Sequence, residues 1–85
     1  MHIILEQSFL KSAKKLPENI KKKLPKIVEL LKQNAYHPFL HTKKLHGELS
    51  GFLSFRITRD WRVVFYFKDQ KTIHILEVNH RKDIY

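Results

Sequence analysis

Apolar and polar residues change rhythm near the middle of this chain. In the first part Phe9, Ala13 and Leu16 recur at helical spacing, while Lys11, Lys14 and Lys15 fall mostly elsewhere. Pro17 ends that pattern and suits the first turn of a second helix. There Ile20, Leu24, Ile27, Leu31 and Ala35 form one apolar stripe, with Lys21, Lys22, Lys23, Lys26 and Lys32 lying off it. Pro25 falls inside the stripe; it lacks an amide donor and crowds the preceding turn, which predicts a kink or a split. Ser8 is positioned to cap the first helix with its hydroxyl. The two helices are expected to form an antiparallel pair that buries its stripe on a sheet.

The strand rhythm supplies that sheet. His2 to Glu6 is a short apolar run suited to a leading strand, and Asn34 to Glu48 reads as a connector. After it come Gly51–Thr58, Trp61–Lys68 and Thr72–His80, with Asp69-Gln70-Lys71 as the turn between the last two. The order β-α-α-β-β-β predicts one α+β domain over residues 1–85, two N-terminal helices on a mostly antiparallel four-stranded sheet. Alternation puts Leu53, Phe55 and Ile57 on one face and Phe52, Ser54, Arg56 and Thr58 on the other. In the next strand Trp61, Val63, Phe65 and Phe67 oppose Arg62, Val64 and Tyr66. A two-residue loop of Arg59-Asp60 would put Arg56 and Arg62 on opposite faces. A three-residue loop, Thr58-Arg59-Asp60, would put them side by side, with Asp60 able to take the left-handed conformation such a loop favours.

Charge then narrows the classes of partner. Lysine and arginine number 17 against 8 acidic residues, a formal charge of +9. Such a surface suits a polyanion or an acidic protein. A domain of this size buries roughly 60–65% of its unfolded surface, which favours an open face or shallow cleft over a deep cavity. Cysteine is absent, which excludes disulfides, zinc–thiolate sites and thiol nucleophiles. His37, His41 and His46 are spread over the connector with no carboxylate pattern to complete a metal site, so neither metal nor other cofactor is expected. No segment reads as a signal peptide or membrane span, and a cytoplasmic protein is expected.

Candidate chemistry gathers toward the C-terminus. Arg56, Arg59, Arg62 and Arg81 stud the strand region, and each guanidinium presents a planar fork that fits phosphate oxygens. The string Val78-Asn79-His80-Arg81-Lys82-Asp83-Ile84-Tyr85 adds an imidazole and a phenol. Five blocks in order carry a family resemblance: Lys44-Leu45-His46-Gly47-Glu48-Leu49, Phe55-Arg56-Ile57, Asp60-Trp61-Arg62-Val63-Val64-Phe65, Ile75-Leu76-Glu77-Val78, and His80 through Tyr85. Together they resemble the RelE/ParE toxins of type II toxin–antitoxin systems, closest to the RelE-type mRNA interferases.

The resemblance implies a RelE-like fold and a cognate antitoxin that wraps and silences the toxin. RelE-type members cut mRNA in the ribosomal A site; ParE-type members inhibit DNA gyrase and share the fold without the nuclease residues. Position by position, it assigns Arg62 and Arg81 as charge stabilisers and Arg56 as a substrate grip. Tyr85 and His80 compete for the proton-handling role. RelE relies on lysines near the Arg56 strand; this strand has none, so Lys43 and Lys44 upstream are the substrate-binding candidates. Glu48 matches relatives that use a carboxylate base there, although an exposed turn residue is the simpler reading. Metal-free cleavage needs a base for the 2′-hydroxyl, cations for the phosphorane-like transition state and an acid for the leaving 5′-oxygen. A placed donor contributes roughly 10²–10³ in rate and an acid or base about 10²–10⁴. The implied product carries a 2′,3′-cyclic phosphate.

Overall fold

A computed structural model describes residues 1–84. Strand β1 (His2–Leu5) leads into helix α1 (Gln7–Lys14), followed by the one-turn α2 (Glu18–Lys21) and α3 (Leu24–Gln33). The connector then gives way to β2 (Lys43–Lys44), β3 (Leu53–Arg56), β4 (Trp61–Asp69) and β5 (Thr72–His80), and α4 (Arg81–Ile84) closes the described chain. Pro25 sits in the first turn of α3, where its missing amide donor costs nothing, so the second apolar stripe splits into α2 and α3.

The sheet has five strands in the order β1-β5-β4-β3-β2, one more than the sequence pattern predicts. The added strand is β2. Lys43 and Lys44 lack the apolar alternation that marks a strand and are drawn into the ladder by pairing with Ser54 and Leu53. β1 joins β5 in parallel, and the remaining pairs are antiparallel.

One face of this sheet carries the main core. Phe55, Val63, Phe65, Ile73, Ile75 and Val78 pack against Phe9, Leu16, Ile20 and Leu31 of the helical layer, all of them buried. The opposite face is only partly covered: Leu45 and Val64 are buried there, with Leu49, Phe52 and Leu76 around them. This second, smaller cluster sits beside the end of the sheet where the arginines lie.

Ser8 does not cap α1. The N-cap is Glu6, without a side-chain cap, and the Ser8 hydroxyl donates to the Leu76 carbonyl at 2.5 Å. The cause lies in the ladder. β1 pairs with β5 only as far as Leu5 and Ile75. Beyond that point β5 needs other partners for its backbone polar groups, since leaving them unpaired is costly. Ser8 takes the Leu76 carbonyl, and the Ser12 hydroxyl accepts the Val78 amide at 3.0 Å. Two serines of α1 thus continue the work of the strand and tie the helix to the segment leading into Arg81.

Candidate functional site

The turn between β3 and β4 settles how the arginines meet. The Ile57 amide donates to the Trp61 carbonyl at 2.9 Å, and the Thr58 amide reaches the same oxygen at 3.4 Å. Thr58-Arg59-Asp60 is therefore the loop, and Arg56 lies directly opposite Arg62. Asp60 does not take a left-handed conformation. The one non-glycine residue at positive φ among those described is His41, at 49°.

The pairing places both side chains on the face away from the helices. Arg62 is 8% exposed, while Arg56 is half-buried. Because Ile57 and Trp61 share a hydrogen bond, Arg56 and Arg62 form the adjacent non-hydrogen-bonded pair, the kind whose side chains stand closest.

Arg81 reaches the same place from the end of β5. Its amide donates to the Asp60 carbonyl at 2.7 Å, and its Nε lies 3.5 Å from Asp60 Oδ1. One turn residue thus holds both the backbone and the side chain of Arg81. The result is a cavity of about 490 Å³ lined by Arg56, Arg59, Arg62 and Arg81, with the loop residues Phe39 and His41 on its other side. Arg59, which looks like a mere turn residue in sequence, is part of that lining.

The remaining candidates divide. His80 pairs with Trp61 in the ladder and stands edge-on to its ring at 5.3 Å, against the helix-packed side of the sheet rather than in the arginine cavity. Its Nδ1 faces the Lys82 amide at 3.5 Å. Lys43 pairs with Ser54 and so shares the face of Arg56, two residues along β3. Lys44 pairs with Leu53, on the other face. Glu48 is exposed in the short turn before β3. Tyr85 lies outside the described residues. Among those residues, no group of three histidines and carboxylates could hold a metal ion.

Nothing in the apolar pattern of the sequence marks Phe39, and His41 stands out there only as a weak metal-ligand candidate, not as a neighbour of the arginines. Both belong to the connector, which carries no apolar period, and only the fold brings that loop beside β3. A Pro38-Phe39-Leu40 turn with its aromatic next to histidines was the available signal.

Fold and site together define a small, basic α+β protein whose sheet gathers four guanidinium groups around one open cavity. The chain belongs to the ParE toxin family of type II toxin–antitoxin systems: the model of the ParE toxin of the parDE system matches residues 3–85. Among solved structures, it is similar to YafQ from E. coli strain BL21(DE3), with 17% identity, 98% of this chain and 96% of that one covered, and a TM-score of 0.81. The RelBE2 toxin–antitoxin complex of Mycobacterium tuberculosis matches at 24% identity over 94% and 96% of the two chains, with a TM-score of 0.78. The RelB–RelE antitoxin–toxin complex of Methanococcus jannaschii matches at 27% identity over 96% and 94%, with a TM-score of 0.74. A comparison with curated protein sequences returns no match.

Proposed function

We propose that this toxin is a ribosome-dependent endoribonuclease that cleaves mRNA without a metal ion. The observation that carries the reading is the convergence of Arg56, Arg62 and Arg81 on one solvent-open cavity. In this reading the 2′-oxygen attacks the adjacent phosphorus, a 2′,3′-cyclic phosphate forms, and the 5′-oxygen of the next nucleotide leaves with a proton. Arg62 and Arg81 stabilise the charge that builds on the phosphoryl oxygens, and Arg56 holds the substrate backbone. Lys43 extends the same basic face, and Lys44 contributes more generally to the field around it.

Tyr85 is the proposed proton handler, a role that needs positive charge to favour its phenolate. His80 would have to leave the Trp61 ring to take that part. The proposed setting is the cytoplasm; no helix among the described residues is long and apolar enough to cross a membrane. A cognate antitoxin is the proposed partner, supported by the relatives solved as toxin–antitoxin complexes. An acidic, partly disordered chain would complement the +9 charge.

A second reading, inhibition of DNA gyrase, is favoured by the family description itself, which names ParE. Sequencing RNA ends after induction separates the two. The nuclease predicts in-frame cuts in translated messages that vanish in Arg62→Ala and Arg81→Ala variants. Intact messages together with lost supercoiling would reject it in favour of the gyrase reading.

A further inference from the structure

Phe39 is 73% exposed, more than any other large apolar side chain among the described residues. A single exposed apolar residue is ordinary on a protein surface. Its position and its support set this one apart. It lines the cavity that also holds Arg56, Arg62 and Arg81.

The loop beneath it is tightly held. The Phe39 amide donates to His37 Nδ1 at 3.1 Å, and the His37 ring stands edge-on to the Phe39 ring at 4.9 Å. The Thr42 hydroxyl donates to the Ala35 carbonyl at 2.6 Å, closing the loop across its base. Leu40, the next residue, is fully buried in the main core. Leu40 thus fills the inward position, and the turn displays Phe39 outward with little freedom to fold back. An aromatic ring fixed beside phosphate-binding cations has the parts of a single-strand nucleotide site, in which arginines track the backbone and a ring supports a base.

We infer that Phe39 is a stacking platform for a nucleobase adjoining the phosphate held by the arginines, which makes the cavity a nucleotide subsite rather than a bare phosphate site. The inference rests on the nuclease reading and adds a binding residue to it. Stacking reads the flat face of a base and no hydrogen-bonding edge, so the subsite tolerates any base and favours the larger faces of purines.

The test uses the full chain and a short single-stranded RNA carrying 2-aminopurine, with 2′-O-methyl sugars that block the attack. Wild-type protein and Phe39→Trp should quench the fluorophore. Phe39→Ala and Phe39→Leu should lose the quench and bind roughly 5- to 150-fold more weakly. Their dependence on salt should stay that of the wild type, whereas Arg56→Ala should flatten the slope by roughly 0.7 for one lost phosphate contact. Wild-type affinity and quenching in Phe39→Leu would overturn the inference while leaving the nuclease reading standing, as would a flattened salt slope in Phe39→Ala. Failure of the wild type both to bind this RNA and to cut message in cells would overturn the two together.

Discussion

Arg56 and Arg62 should oppose the stability of the very sheet that carries them. They are directly opposite on antiparallel strands, in the closer kind of pair, and both carry a permanent positive charge. Two unit charges about 4 Å apart repel by roughly 1 kcal/mol in water and by roughly 4 kcal/mol at an effective dielectric constant of about 20, and by less at greater separation. Arg62 is buried but Arg56 is only half-buried and both line a cavity open to solvent, so the interaction lies toward the lower value. Arg56→Gln removes the charge and keeps a hydrogen-bonding head of similar reach. It should stabilise the fold by about 0.5–1 kcal/mol, or roughly 2–8 °C in Tm for a domain of this size. Because the screening length contracts from about 10 Å at 0.1 M salt to about 3 Å at 1 M, the gain should shrink as salt rises. The assay is thermal unfolding at two ionic strengths, run beside cleavage of ribosome-bound message. In the proposed function Arg56 grips the substrate backbone, so the same variant should bind substrate more weakly and show a raised KM for cleavage. A lower Tm at low salt, or a gain that persists at 1 M, would refute the charge argument.

Other perturbations read different parts of the structure. Phe55 is fully buried with its ring 5.6 Å from that of Phe65, so Phe55→Ala should cost about 3–5 kcal/mol, measured by denaturant unfolding. Asp60→Asn keeps the carbonyl that receives the Arg81 amide but removes the charge facing its Nε. Both side chains are about half-exposed, so stability should change by less than about 1 kcal/mol while, in the proposed function, cleavage falls. Unchanged cleavage would show that Asp60 does not position Arg81. Asp69 has its carboxyl held below the ordinary value, chiefly by the Lys71 amide, with Thr72 and the Lys68 charge helping. Its folded pKa is depressed, so its contribution is present above the ordinary carboxylate range and is lost as pH falls through the lowered value. A carbon-detected titration of Asp69 should show the low midpoint, and Asp69→Asn should flatten the acid limb of stability.

Much of the fold is written in the spacing of apolar residues; the turn register, open between two loops in the sequence, is fixed by what the helices must cover. A two-residue loop would have set Phe55 opposite Val64 and joined the face of Leu53, Phe55 and Ile57 to that of Arg62. Only the three-residue loop aligns it with Val63 and Phe65, forming one apolar face for the helices. The features that escaped the pattern share a cause: tertiary contact overrides local preference. Lys43 and Lys44 become a strand because β3 offers an edge, and Ser8 serves β5 because β1 stops at Leu5. Phe39 points outward because Leu40 holds the inward position. The resemblance set His80 beside Tyr85 as a candidate for proton handling; strand alternation places it against Trp61, while Arg62 faces the cavity.

This dependence couples the core to the candidate site. The register that pairs Phe55 with Val63 is the one that pairs Arg56 with Arg62, since strand side chains alternate with a period of two. A slip by one residue would bring Arg62 onto the core face and carry Phe55 or its partners to solvent. Burial of a charge and loss of apolar contact would both oppose the slip. The repulsion between the paired arginines is therefore sustained by Phe55, Val63 and Phe65 on the reverse of the same strands, all of them fully buried. The Arg56–Arg62 juxtaposition needs no attraction of its own, and its geometry should persist in variants that remove either charge. It should fail only in variants that weaken the apolar face behind it.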